Sequence, residues 1–271
     1  MLELTLTPTE KKIIEFAKDH SLKSVTIEEI ESSLGIKSPS QHLYKLVEKG
    51  VSKRVGDRTY AIQTDERLFK NWQPSPYTYI RALLKDKPYY VGGPVALYFN
   101  HLTDQVYWSI IDVFSPCFYH SRRIGYAKAD FHRMKVQRLD IGTEKLELEG
   151  EGVPFSNKEK TLLDVLEYPK HFGENDGGIV LVSRSLREAN VERLVEYALQ
   201  IGKISSCQRL GVLLDRKHLH PSNYQALISK VALGKSEPAM ISTTDRKGKT
   251  NPKWRIIEND TKVSKMALQW Q

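Results

Sequence analysis

Cysteine is nearly absent. The 271 residues include two, Cys117 and Cys207, far apart in sequence and in no metal-binding spacing. A disulfide-stapled scaffold is excluded, and buried free thiols in a reducing cytoplasm are the expectation. Long apolar runs are missing too. The segment Val106 to Phe114 is about half of the roughly 18–20 residues a membrane span requires, and Ser109 and Asp112 interrupt it. No apolar run follows a basic N-terminus, so no signal peptide is expected and the chain reads as cytoplasmic, with no membrane partner. There is no internal repeat and no low-complexity segment. Catalytic signatures are thin. His101, His120, His132 and His171 are scattered, with no H-E-x-x-H pattern. Gly92-Gly93 and Gly177-Gly178 are too short for a phosphate loop, and neither Ser nor Cys sits in a nucleophile elbow. No catalytic residue, metal or cofactor is therefore expected.

Arginine is also absent from the first thirty-six residues, where four Lys face seven acids (Glu3, Glu10, Glu15, Asp19, Glu28, Glu29 and Glu31). The next stretch reverses the balance. Lys37, Lys45, Lys49, Lys53, Arg54 and Arg58 are opposed only by Glu48 and Asp57. The net charge of +8 favours a polyanionic partner, and this polarity gives a small domain one face that attracts phosphates and a back that repels them.

The same stretch reads as a winged helix-turn-helix. Thr7, Pro8 and Glu10 form a T-x-x-E capping box with proline at the first helical position. A second helix starts near Thr26, with Ile27, Ile30 and Leu34 inward, and ends at Gly35. A third spans Ser38 to Lys49. Leu43, Leu46 and Val47 fall on its inner face; Ser38, Gln41, Tyr44 and Lys45 fall on its outer face, and His42 lies at the edge. Val51 to Ile62 alternates as a hairpin with a II′-type turn at Gly56-Asp57. Tyr60 is expected to pack under that wing. Lys37, Ser38, Ser40, Gln41, Tyr44 and Lys45 are the base-reading or phosphate-anchoring candidates, and Lys53, Arg54 and Arg58 hold flanking phosphate or minor groove.

The predicted organisation is α+β: a winged helix-turn-helix over residues 1–63, a linker over 64–76 containing Pro74 and Pro76, and a larger mixed α+β domain over 77–271. In the larger domain, helices are expected over Tyr77–Lys85 and from Gly93 to Asn100. Strands are expected over Val106–Phe114, Arg123–Val136 and Leu139–Val153, with turns at Gly142 and Gly150. An S-x-x-E box at Ser156 opens a helix that stops before Pro169. From Ser183 to Leu233 the pattern is helical, broken near Asn190, Gly202 and Pro221. Two short β-like runs, Ala239–Ser242 and Trp254–Ile257, close the chain. A second basic cluster, Arg122, Arg123, Lys128, Arg133, Lys135 and Arg138, extended by Lys158 and Lys160, is either a second polyanion surface or a solvated hairpin face. Asp164 is expected to pair a buried Arg or Tyr.

Five runs, in order, resemble the AbiEi antitoxins, the transcriptional-regulator half of AbiE-type (type IV) toxin–antitoxin phage-defence systems. They are Arg54-Val55-Gly56-Asp57-Arg58-Thr59-Tyr60, Gly93 to Gln105, Pro154 to Asp164, Arg209 to Leu214 and Lys253 to Asn259. Arg58 and Asn100 stand where the family more usually has glycine. The resemblance implies an N-terminal domain that binds operator DNA upstream of its own operon and represses it. It implies a C-terminal domain that counters a nucleotidyltransferase-like toxin, without requiring a stable complex. Two alternatives stay open: a nuclease-like enzyme using Asp112, Asp140, Glu147 and Glu149, and a protein-interaction adaptor. Glu147 and Glu149 share a strand face, but Glu149 is followed by Gly150-Glu151 with no Lys, and solvated strand faces explain these acids without catalysis.

Overall fold

The computed structural model describes residues 5–65, 72–85, 87–106, 109–117, 119–169, 172, 177–241 and 246–260. The sequence expectations for Asn71, His171 and Ser242, and for part of the strand begun at Val106, lie outside these residues. The fold is mixed α+β. In chain order the elements begin α1 (Pro8–Asp19), β1 (Ser24–Thr26), α2 (Ile27–Leu34), α3 (Pro39–Glu48), β2 (Ser52–Gly56), β3 (Thr59–Ile62) and α4 (Pro76–Leu84). Then come β4 (Tyr90–Gly92), α5 (Gly93–Phe99), β5 (Ile110–Ser115), β6 (Arg122–Ile124), β7 (Ala127–Arg133), β8 (Thr143–Leu148) and β9 (Glu151–Ser156). The rest is α6 (Lys158–Glu167), α7 (Gly177–Ser185), α8 (Val191–Ile201), α9 (Ile204–Arg216), α10 (Tyr224–Ala232), β10 (Lys249–Asn251) and β11 (Ile256–Glu258). No helix among the described residues is long and apolar enough to cross a membrane.

The chain divides into two compact units. One contains Met1–Pro88, Tyr119–Asp130 and Lys145–Val153; the other contains Tyr89–Phe118, Phe131–Glu144 and Pro154–Gln271. In the first, local signals place the helices. Thr7 and Thr26 each accept from the backbone N–H three residues on, and Glu10 and Glu29 reach back to the cap N–H. Gly35 ends α2 in the left-handed region. Ile13, Ala17, Val25, Ile30, Leu43, Leu46, Val51 and Ile62 form one buried core. A three-stranded antiparallel sheet, ordered β1-β3-β2, closes over it.

The turn of the β2–β3 hairpin lies one residue later than expected. Gly56 pairs with Thr59, so Asp57-Arg58 forms the loop, and Arg58 takes the positive φ of 50°. Gly56 has a different task. A Cβ there would sit 3.2 Å from the Ala82 carbonyl oxygen, so glycine lets α4 pack directly on the hairpin.

The second unit is built on the cluster formed by α6 to α10 and residues 240–256. Gly211 on α9 faces Trp254, and a side chain there would overlap the buried indole ring. Arg209, almost fully buried, donates to the carbonyls of Leu166 at 2.9 Å, Met240 at 3.0 Å and Ala239 at 3.1 Å. The runs around Arg209 and Trp254 are thus packing partners. In this unit β4 pairs antiparallel with β5, and Val91 of β4 pairs in parallel with Phe155 of β9.

Two further expectations change. Asn157, not Ser156, caps α6: its side chain accepts from the Lys160 N–H, while Ser156 still belongs to β9. The expected strand Arg123–Val136 is broken by a turn at Gly125-Tyr126 and ends at Arg133. Of the two cysteines, Cys207 is buried, its thiol pushed up to about 11 by burial; Cys117 is only half-buried.

Candidate nucleic-acid interface

The α3 helix presents two chemically distinct faces. Ser38 precedes it with a φ of 56°, and Pro39 supplies a preset first turn. Pro39, Leu43 and Leu46 are buried. Three and four residues away from one another, Gln41, Tyr44, Lys45 and Glu48 form an exposed stripe, joined by Ser40. These five and Tyr60 of β3 line a groove of about 490 Å³. Tyr44 is 61% exposed, unusual for a large ring. Among the described residues, no side chain of these six makes a hydrogen bond or an ion pair with the protein.

Tyr60 partly departs from expectation. It is half-buried and packs against the core of its unit, as the alternation of β3 required, but it also forms one wall of the groove. Strand alternation identifies the buried side of a residue; it does not reveal that its outer edge meets a helix some fifteen residues earlier.

The cations of residues 37–58 fall into two groups. Lys49 pairs with buried Glu10 at 2.6 Å, Arg58 with Glu28 at 2.5 Å, and Arg54 with Asp57 at 3.7 Å. The last two pairs are exposed and hold their guanidinium groups only weakly. Lys37 and Lys45 are exposed, Lys53 is half-buried, and none has a carboxylate partner among the described residues. Burial opposes the charge on Glu10, yet hydrogen bonds from Lys49 and Thr7 outweigh it and hold the carboxyl below its usual range.

The residues of the second basic cluster have different environments. Lys160 is completely buried. Its ammonium donates to the Tyr90 hydroxyl at 2.8 Å and to Asp164 at 2.5 Å, and the Tyr90 hydroxyl donates to Asp164 at 2.9 Å. Burial raises the Asp164 carboxyl, with Lys160 and Tyr90 pulling the other way. Tyr90 is pushed up by burial and by Asp164. Lys160 is therefore a structural cation, and Asp164 has the tyrosine partner expected of it. Arg138 is half-buried on Glu167 at 2.5 Å, and that carboxylate also takes Lys203 at 3.1 Å. Lys128 is paired with Asp130 at 2.8 Å. Arg122, Arg123, Arg133 and Lys135 are exposed, and Lys158 is half-buried. Arg122 lies 5.5 Å from the Tyr119 ring centroid. The cluster is also divided, with Arg122, Arg123 and Lys128 in the first unit and the rest in the second.

The acids considered for metal chemistry are separately engaged or exposed. Asp112, 3% exposed, accepts from His132 Nε2. Glu149 accepts from the Tyr126 hydroxyl, Glu147 lies 3.6 Å from Lys145, and Asp140 is exposed. No group of three metal-ligating side chains occurs among the described residues.

No family model matches the sequence, and no curated protein does. Among solved structures, the chain is similar to the crystal structure of the RV2827C protein from Mycobacterium tuberculosis. The TM-score is 0.67 at 15% identity, over 99% of this chain and 97% of that one. At that identity the likeness is one of fold.

Proposed function

We propose that this protein is a sequence-specific DNA-binding transcriptional repressor and antitoxin of an abortive-infection toxin–antitoxin system, cytoplasmic and not an enzyme. The first sixty-three residues act as a winged helix-turn-helix, with α3 in the major groove and the β2–β3 hairpin as the wing. Its operator lies upstream of its own operon. The C-terminal region counters a nucleotidyltransferase-like toxin, as the resemblance to the AbiEi antitoxins implies. The observation that carries the DNA-binding part is the outer face of α3. Ser40, Gln41, Tyr44 and Lys45 are exposed and unpartnered within the described protein. Lys37, Lys53, Arg54 and Arg58 belong to the same unit and supply the field that attracts phosphates.

Binding is electrostatic docking followed by base reading. With about six phosphates contacted, log K falls against log salt with a slope near −5. A gel shift of the full chain on the duplex upstream of its gene, against unrelated competitor at two salt concentrations, tests this. Competitor-resistant binding with that slope is expected; equal displacement by unrelated DNA would remove the repressor reading. Co-expression with the neighbouring toxin tests the antitoxin part, with restored growth as the expected result.

A further inference from the structure

The groove beside α3 carries a narrower statement, which rests on the DNA-binding reading above. Lys45 and Glu48 cancel in charge, leaving the Ser40 hydroxyl, the Gln41 amide and the rings of Tyr44 and Tyr60. A slot with no net charge and ring walls suits an uncharged, partly apolar surface rather than a phosphate. In the major groove, the apolar group that a base pair offers is the thymine C5-methyl. Gln41 has both a free donor and a free acceptor, the pair that matches adenine N7 and N6. Along the helix axis Gln41 and Tyr44 are separated by about 4.5 Å, against roughly 3.4 Å between adjacent base pairs, a difference that side chains of their length span.

We propose that α3 reads an A·T-containing step of duplex DNA, with Gln41 on adenine and the Tyr44 ring on the methyl of a neighbouring thymine, enclosed on its far side by Tyr60. Tyr44 then determines specificity through its ring and not its hydroxyl. Both side chains are exposed, so substituting either leaves the core of the unit intact.

The probe is a randomised duplex library with fixed flanks, selected on the full-length chain. The selected duplex is then titrated with each dT replaced in turn by deoxyuridine, which removes only the methyl group. The shared sequence is expected to contain adenine beside thymine, and one replacement weakens binding about fourfold, the effect of one methyl-sized group. Tyr44→Ala binds the thymine and uracil duplexes equally, and Tyr44→Phe keeps the difference. Gln41→Ala loses about tenfold of adenine preference while keeping uracil sensitivity. Wild-type protein indifferent to uracil at every position overturns the assignment, as does undiminished uracil sensitivity in Tyr44→Ala. A library that yields no shared sequence overturns the DNA-reading proposal itself, and so separates the two failures.

Discussion

Residues 37–58 and residues 122–160 are both rich in lysine and arginine, and the protein uses them differently. In the first stretch the hydrogen-bonding face of α3 is exposed, and its side chains make no hydrogen bond or ion pair among the described residues. In the second, Lys160 is sealed against Tyr90 and Asp164, Arg138 is held by Glu167, and Lys128 by Asp130. The difference lies in what surrounds each cation. The α3 helix buries one stripe and leaves its other face to solvent. Every residue of α6 from Glu159 to Glu167 is buried, so a lysine there must find an acid, and Asp164 stands one turn away. Basic composition alone does not distinguish a surface for polyanions from a set of internal ion pairs.

The largest effect is expected at Lys160. Lys160→Met leaves Asp164 buried without its cation, and should lower the unfolding free energy by about 3–5 kcal/mol in a urea titration. Lys160→Met combined with Asp164→Leu should recover most of that. A single variant as stable as wild type would mean that Lys160 is not the structural cation described. On the other stretch, Gln41→Ala should leave stability unchanged but reduce preference for operator over unrelated DNA by roughly 1–3 kcal/mol in a competition titration. Unchanged preference would remove α3 from the reading role.

Glu10 sharpens the same contrast through pH. Its folded pKa lies below the ordinary value of 4.5, so its ionised form stabilises the fold above that pH. The stabilisation is lost as pH falls through the lower folded value. Glu10→Gln should cost about 1 kcal/mol near neutrality and flatten the acid side of the stability profile. A profile with the same acid limb as wild type would assign that limb to other carboxylates. The smallest effect is expected at Arg54. Arg54→Ala should weaken all duplexes alike and make the salt slope shallower by about one. A selective loss for the operator would instead make Arg54 a base reader.

Much of the first unit was legible from local chemistry. The Thr7–Glu10 and Thr26–Glu29 boxes and Gly35 act within four residues, so sequence alone places those helix ends. The strand β1 was not legible. Its three residues gain strand character only by pairing with Thr59–Ala61, far along the chain. The hairpin turn was misplaced because Gly56 looks like a turn glycine, whereas its missing side chain serves the approach of α4 and Arg58 carries the positive φ instead. At the candidate interface, helical periodicity found Gln41, Tyr44 and Lys45; it also gave Ser38, which does not line the groove. It could not show that Tyr60 walls the same groove, since that depends on how the hairpin returns to α3. Lys160 was misread because a lysine at a helix start usually faces solvent, and only the environment of α6 reveals otherwise.

Hydrogen–deuterium exchange on the full chain, free and bound to the duplex upstream of its gene, compares the two stretches in one experiment. Slower exchange is predicted over Pro39–Glu48 and the β2–β3 hairpin, with Lys158–Glu167 unchanged. Protection confined to residues 122–138, or none in α3, would contradict the account.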